Sequence, residues 1–99
     1  MELKIFSVFD VKAGAYAVPF FMSNKPMAIR AFSDNARSED SIVCRNPEDF
    51  TLFEIGSFDD QSGKLETYEN PIYLLRASDV NDGRIPEESG QSPKIGMVQ

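Results

Sequence analysis

The residues best placed to do chemistry are two acidic pairs, Glu48/Asp49 and Asp59/Asp60, and a run between positions 4 and 37 in which cations alternate with aromatic rings. Paired carboxylates hold a divalent cation or move a proton only when they converge from separate elements on a pocket. Both pairs here stand in turn-like surroundings, Asn46-Pro47-Glu48-Asp49 and Asp59-Asp60-Gln61-Ser62-Gly63, where acidic side chains accept hydrogen bonds from nearby backbone. The second also lacks the alternating ligands and closing Glu of an EF-hand loop. The chain has no histidine, which removes the commonest general base and the commonest transition-metal ligand. It contains no glycine-rich phosphate loop, serine elbow or Cys-x-x-Cys. The expectation is therefore no enzyme, no metal and no cofactor.

The second feature is the belt Lys4, Lys12, Tyr16, Phe20, Phe21, Lys25, Arg30 and Arg37. Single-strand binders use this mixture, with cations tracking phosphates and aromatic faces stacking bases. Within residues 11–38, Lys12, Lys25, Arg30 and Arg37 face one anion, Asp34, inside a protein of net charge −6. The whole molecule repels nucleic acid at long range, so direct DNA contact is restricted to that local excess. Its DNA-binding residues would be Lys12, Lys25, Arg30 and Arg37, with Tyr16 as the stacking ring because its hydroxyl tolerates water. Phe20 and Phe21 serve equally well as core or subunit-interface side chains, and no established nucleic-acid-binding motif accompanies them.

Positioning these residues falls to a small set of elements. A chain of 99 residues has room for one core, and the expected division is a single α+β domain over 1–78 followed by an irregular acidic, Gly/Pro/Ser-containing tail over 79–99. Residues 3–10 read as a strand with Leu3, Ile5 and Phe9 on one side and Phe6 and Val8 on the other, hence covered on both faces. Residues 11–25 read as a loop, punctuated by Gly14 and Pro19. The spacing predicts a helix over 26–37, with Pro26 at its start and Ile29, Phe32 and Ala36 as its buried stripe beside Ala28. Arg30 and Arg37 lie off that stripe. Cys44, just before the Asn46-Pro47 turn, reads as an inert, small apolar residue.

Residues 50–58 form a second strand, with Thr51, Phe53 and Ile55 on one face and Leu52, Glu54 and Phe58 on the other. A hairpin at 59–63 returns the chain as a third strand over Lys64–Tyr68, which Asn70-Pro71 should end, and Ile72–Leu75 then adds a short strand or a helical turn. The fold class is α+β, a small and mainly antiparallel sheet with one main helix packed on a face. The aromatic content (Phe6, Phe20, Phe21, Phe58 and Tyr73 among others) exceeds what one small core encloses, which predicts a homodimer or higher oligomer. No apolar run approaches the roughly 18 residues that span a bilayer, and the N-terminus shows no signal-peptide layout. A lone cysteine cannot form an internal disulfide, which fits a reducing cytosol.

Four blocks, Lys4–Asp10, Ala13–Phe21, Met27–Asp34 and Pro47–Asp60, resemble in order and spacing the small non-structural protein of gokushovirus-type microviruses, tailless phages with circular single-stranded DNA genomes. The resemblance covers residues 3–66. It implies a protein made in the cytoplasm of the infected bacterium and absent from the virion, acting where replication passes from duplex to single-strand synthesis and packaging. The partner it implies is a phage replication or procapsid protein, with single-stranded DNA as the alternative. It implies no particular functional residues.

Overall fold

A computed structural model describes residues 1–81 of the chain. Strand β1 (Glu2–Asp10) occupies the middle of a curled antiparallel sheet. On one edge it pairs along its length with β4 (Phe50–Asp59), and β4 pairs in turn with β5 (Lys64–Arg76). Its other edge is shared by two short strands, β2 (Ala15–Tyr16) near the end of β1 and β3 (Phe20–Met22) near its start.

Residues 11–25 are thus not simply the loop that Gly14 and Pro19 suggest. Nine residues of β1 present backbone donors and acceptors on two edges, and those on the second edge need partners too. Strands of two and three residues satisfy them, too short to show any period. Between them, Ala17 donates its N–H to the Val8 carbonyl (2.8 Å) and accepts the Ser7 hydroxyl (2.7 Å). That contact satisfies Ser7, which is fully buried.

Helix α1 (Lys25–Arg37) starts at Asn24, whose side chain accepts the Met27 N–H at 3.0 Å. It buries Ala28, Ile29, Phe32, Ser33 and Ala36, the stripe its spacing marks plus Ser33. The helical cover, however, comes in three pieces. Helix α2 (Ile42–Arg45), capped by the Ser41 hydroxyl, adds Val43 to the core, and α3 (Ala77–Asn81) adds Ala77 and Val80. Both are too short to show amphipathic spacing. Residues 79–81 therefore belong to a helix, and the rest of the expected tail lies outside the described residues. Against this cover the sheet sets Phe6, Leu52 and Leu75, all essentially without exposure, together with Phe50 and the partly buried Val8, Phe20 and Met22.

The β4–β5 ladder slips twice, by one residue at Leu74 between the Leu52–Leu75 and Phe53–Tyr73 pairs and more widely further along. Pairing of β4 with β5 runs through Glu54 opposite Ile72 and resumes at Gly56 opposite Thr67. Ile55 therefore faces four residues, Tyr68–Pro71. Asn70-Pro71 does not end the strand as expected; it falls where the ladder lapses, and the chain then continues in strand to Arg76. Proline has no N–H to give a ladder, and a bulge on an edge strand tolerates it.

The Tyr68 hydroxyl donates to Glu54 Oε2 at 2.6 Å, pinning this bulge to β4, and Glu54 is only 5% exposed. Desolvation and the Glu54 carboxylate raise the Tyr68 phenol from its ordinary 10.0 to about 12. A phenol whose folded pKa is raised contributes stability that is complete below pH 10 and is lost as pH climbs through about 12. Tyr68→Phe should cost about 1.5–3 kcal/mol at neutral pH by leaving a buried carboxylate unpaired. Urea unfolding of the two proteins should converge above that range, and a constant difference up to pH 12 would contradict the assignment.

Candidate protein-interaction face

Alternation along β1 sends Phe6 and Val8 to the helix side and Leu3, Ile5, Ser7 and Phe9 to the opposite side. Registered neighbours extend that second side across the sheet: Tyr16 opposite Phe9, Phe21 opposite Ile5, and Tyr73 opposite Phe53. The rings touch in sequence. Phe9 meets Tyr16 with centroids 4.9 Å apart, Tyr16 meets Phe53 at 5.7 Å, and Phe53 meets Tyr73 at 6.2 Å, all edge-to-face. A second pair, Phe21 and Phe58, lies 5.7 Å apart.

Phe58 reaches this side because of the bulge at Ile55. Strict alternation puts it with Leu52 and Glu54; the additional residue shifts the parity of the end of β4, and Phe58 pairs with Leu3 on the same side as Phe53. Leu65, opposite Phe58, extends the patch onto β5.

Ile5, Ser7 and Thr51 form a buried floor, while Tyr16, Phe21, Leu65 and Tyr73 remain 45%, 46%, 59% and 54% exposed. No described helix packs on this side. The tyrosine hydroxyl at its margin is tied down: Tyr73 donates to Asp79 Oδ2 (3.1 Å), which also accepts the Arg76 N–H (3.2 Å). Burial, then the Asp79 carboxylate, raises the Tyr73 phenol. The strand positions of this face hold two charged side chains, Glu69, which alternates with Leu65 and Thr67, and Arg76 at the rim, opposite Thr51, whose guanidinium lies 3.6 Å from Glu48.

The proposed DNA-binding residues do not share one surface. Tyr16 stands on the open aromatic side, with Lys12 on the adjoining exposed turn. Lys25, Arg30 and Arg37 belong to α1, which packs on the other side of the sheet, and Arg37 lies within 4.0 Å of Asp34. Phe20 and Phe21, as consecutive strand residues, point to opposite sides. Phe20 stacks on Phe6 at 5.8 Å in the core, and Phe21 meets Phe58 outside it. The belt is continuous in sequence and divided in space. Tyr16 instead meets Phe9 and Phe53, and Tyr73 joins the row through Phe53; the signals in the sequence are the apolar character of both sides of 3–10 and an aromatic content too large for one small core.

The acidic pairs sit where turn chemistry puts them. Asp59 accepts from the Gln61 N–H (3.1 Å) and the Ser62 hydroxyl (2.9 Å), which lower its carboxyl, while Gly63 takes φ +76° to close the hairpin. Glu48 and Asp49 lie in a 3₁₀ turn, Pro47–Asp49, leading into β4. Among the described residues no cluster of three or more potential metal ligands forms, and no helix is long and apolar enough to cross a membrane.

With this geometry in place, comparison with known proteins is specific. Protein ORF5 of Chlamydia phage 1, a gokushovirus-type microvirus, is 38% identical over 79 residues, covering 76% of this chain and 82% of that protein. No solved structure matches. Residues 3–80, from the start of β1 into α3, match the Phage ORF5 protein family, and the chain belongs to that family.

Proposed function

We propose that this chain is a non-enzymatic accessory protein of a single-stranded DNA phage. It acts in genome replication or packaging, in the cytoplasm of the infected bacterium, by contacting a phage replication or procapsid protein. The observation that carries this reading is the separation of rings from cations. A stacking site for single strands needs phosphate-neutralising side chains beside its aromatic platform. Here the rings occupy a side without free cations along its strands, and Lys25, Arg30 and Arg37 ride on a helix of the other layer. A surface rich in Tyr and Phe and low in charge has the composition of a protein interface, with a phage partner or with another copy of the chain, and not that of a single-strand binding site.

Retention of the purified protein on single-stranded DNA across a salt series tests the alternative. The proposal expects no retention that depends on Tyr16 together with Arg30 and Arg37. Binding at about 50 mM salt that drops by one to two decades by 200 mM, and is abolished by Arg30→Glu with Arg37→Glu, would favour direct DNA binding.

A further inference from the structure

We infer that the open aromatic side of the sheet is closed by a second copy of this chain, packed face to face so that two curled sheets share one core. The inference rests on the reading of this side as a protein-binding surface, and it names the occupant.

Four observations carry it. The first is area. Tyr16, Phe21, Leu65 and Tyr73 are each about half exposed; at roughly 200 Å² per full side chain they offer about 400 Å² of largely apolar surface on one side of each copy. That is about half of the roughly 800 Å² that each partner contributes to a standard interface, and about as large as the greatest patch an ordinary monomer leaves open. The half-buried Phe9, Phe53 and Phe58 surround it.

The second is charge. Each copy carries −6, so two copies repel through most of their surfaces. That repulsion is least where charges are fewest, and the strand positions of this side hold only Glu69 and Arg76. The third is layer geometry. The helices already cover the other side of the sheet, and sheets stack at about 10 Å when uncharged rings interdigitate. Pairing this way also leaves both helical layers, with Lys25 and Arg30, facing outward and available to a phage partner.

The fourth is the edge. The alternative route to a dimer, strand addition along β5, meets Pro71, which has no N–H to donate, the pairing lapse at Tyr68–Pro71, and Lys64, Glu66 and Glu69 on the same strand. These are the features that guard an edge against pairing.

Light scattering and sedimentation equilibrium on the nuclease-treated full-length protein test the inference. The expected mass at micromolar concentration is twice 11.1 kDa. Dimerisation should tighten as salt rises, since screening weakens the repulsion between acidic copies, the opposite sign to nucleic-acid binding. Tyr16→Glu with Phe21→Glu should raise the dimer dissociation constant by about thirtyfold or more. Leu65→Glu, on the most exposed of these positions, provides a second probe that does not touch the aromatic row; Arg30→Glu, on the helical layer, should leave the dimer intact. Far-UV circular dichroism checks that each variant stays folded. A monomer across the micromolar range, a dimer indifferent to both open-side variants, or doubling only with DNA or another protein present would overturn the inference. A monomer that still carries a phage protein out of infected cells would overturn this inference alone and leave the proposed function standing.

Discussion

Phe6→Ala should lower the unfolding free energy by about 3–5 kcal/mol, the largest loss expected from any single truncation in this chain. Phe6 has no exposure, and its ring stacks on Phe20 at 5.8 Å. It sits on the central strand, with β3 and β4 on either side and the Ala28–Ile29–Phe32 stripe of α1 in the same cluster. Neither backbone can move in to fill the space, because β1 is fixed by ladders on both edges. Domains of this size hold about 5–15 kcal/mol in total, so the variant should be partly unfolded at 37 °C or close to it. Chemical denaturation gives the number directly. A loss below about 1 kcal/mol would mean that Phe6 is not where this fold puts it.

Gly56→Ala should be almost as damaging, for a different reason. A Cβ at position 56 would land on the carbonyl oxygen of Glu66 and stand 3.2 Å from both the Glu66 carbonyl carbon and the Thr67 Cα. All three are backbone atoms of β5, so no side chain can swing away. Gly56 follows the Ile55 bulge, where the two strands are brought together again after Tyr68–Pro71 loops out. Accommodating a methyl group means forcing the hairpin apart, at about 1–3 kcal/mol for the clash and more if the pairing of 56–59 with 64–67 is lost. Hydrogen exchange should show the loss concentrated in the amides of Ser57–Asp59 and Lys64–Thr67. Protection there equal to wild type would contradict the close approach.

The two variants mark what the amino-acid sequence reveals and what it hides. The Phe6 environment is legible: alternation in 3–10 and the 29, 32, 36 spacing identify a strand and a helix that must meet, and they do. The hairpin at 59–63 is legible for the same reason, since Asp59 and Gly63 have turn chemistry of their own. What escapes is everything set by a register shift or by pairing at a distance. Phe58 changes sides because one residue, Ile55, is added to β4, and no local preference announces it. β5 outlasts Asn70-Pro71 because the ladder resumes beyond a bulge, where Leu74 and Leu75 bury themselves and hold the strand in place. The small strands β2 and β3 exist because β1 has a second edge to satisfy, not because two or three residues favour a strand.

The same distinction explains the interaction site. Lys12, Tyr16, Lys25, Arg30 and Arg37 are close in sequence, and closeness in sequence suggested one surface. A sheet has two sides, and a helix that packs on one of them carries its cations away from rings on the other. The aromatic row that does form draws on β1, β2, β4 and β5, joined by antiparallel registers that only the folded sheet defines.

The most direct test of the central claim, that this phage protein works through protein contacts, is co-purification of the tagged, full-length chain from infected bacteria with and without nuclease. The account predicts that a phage replication or procapsid protein stays bound after all nucleic acid is digested. Loss of every phage protein on digestion, with single-stranded DNA recovered in the undigested sample, would contradict it.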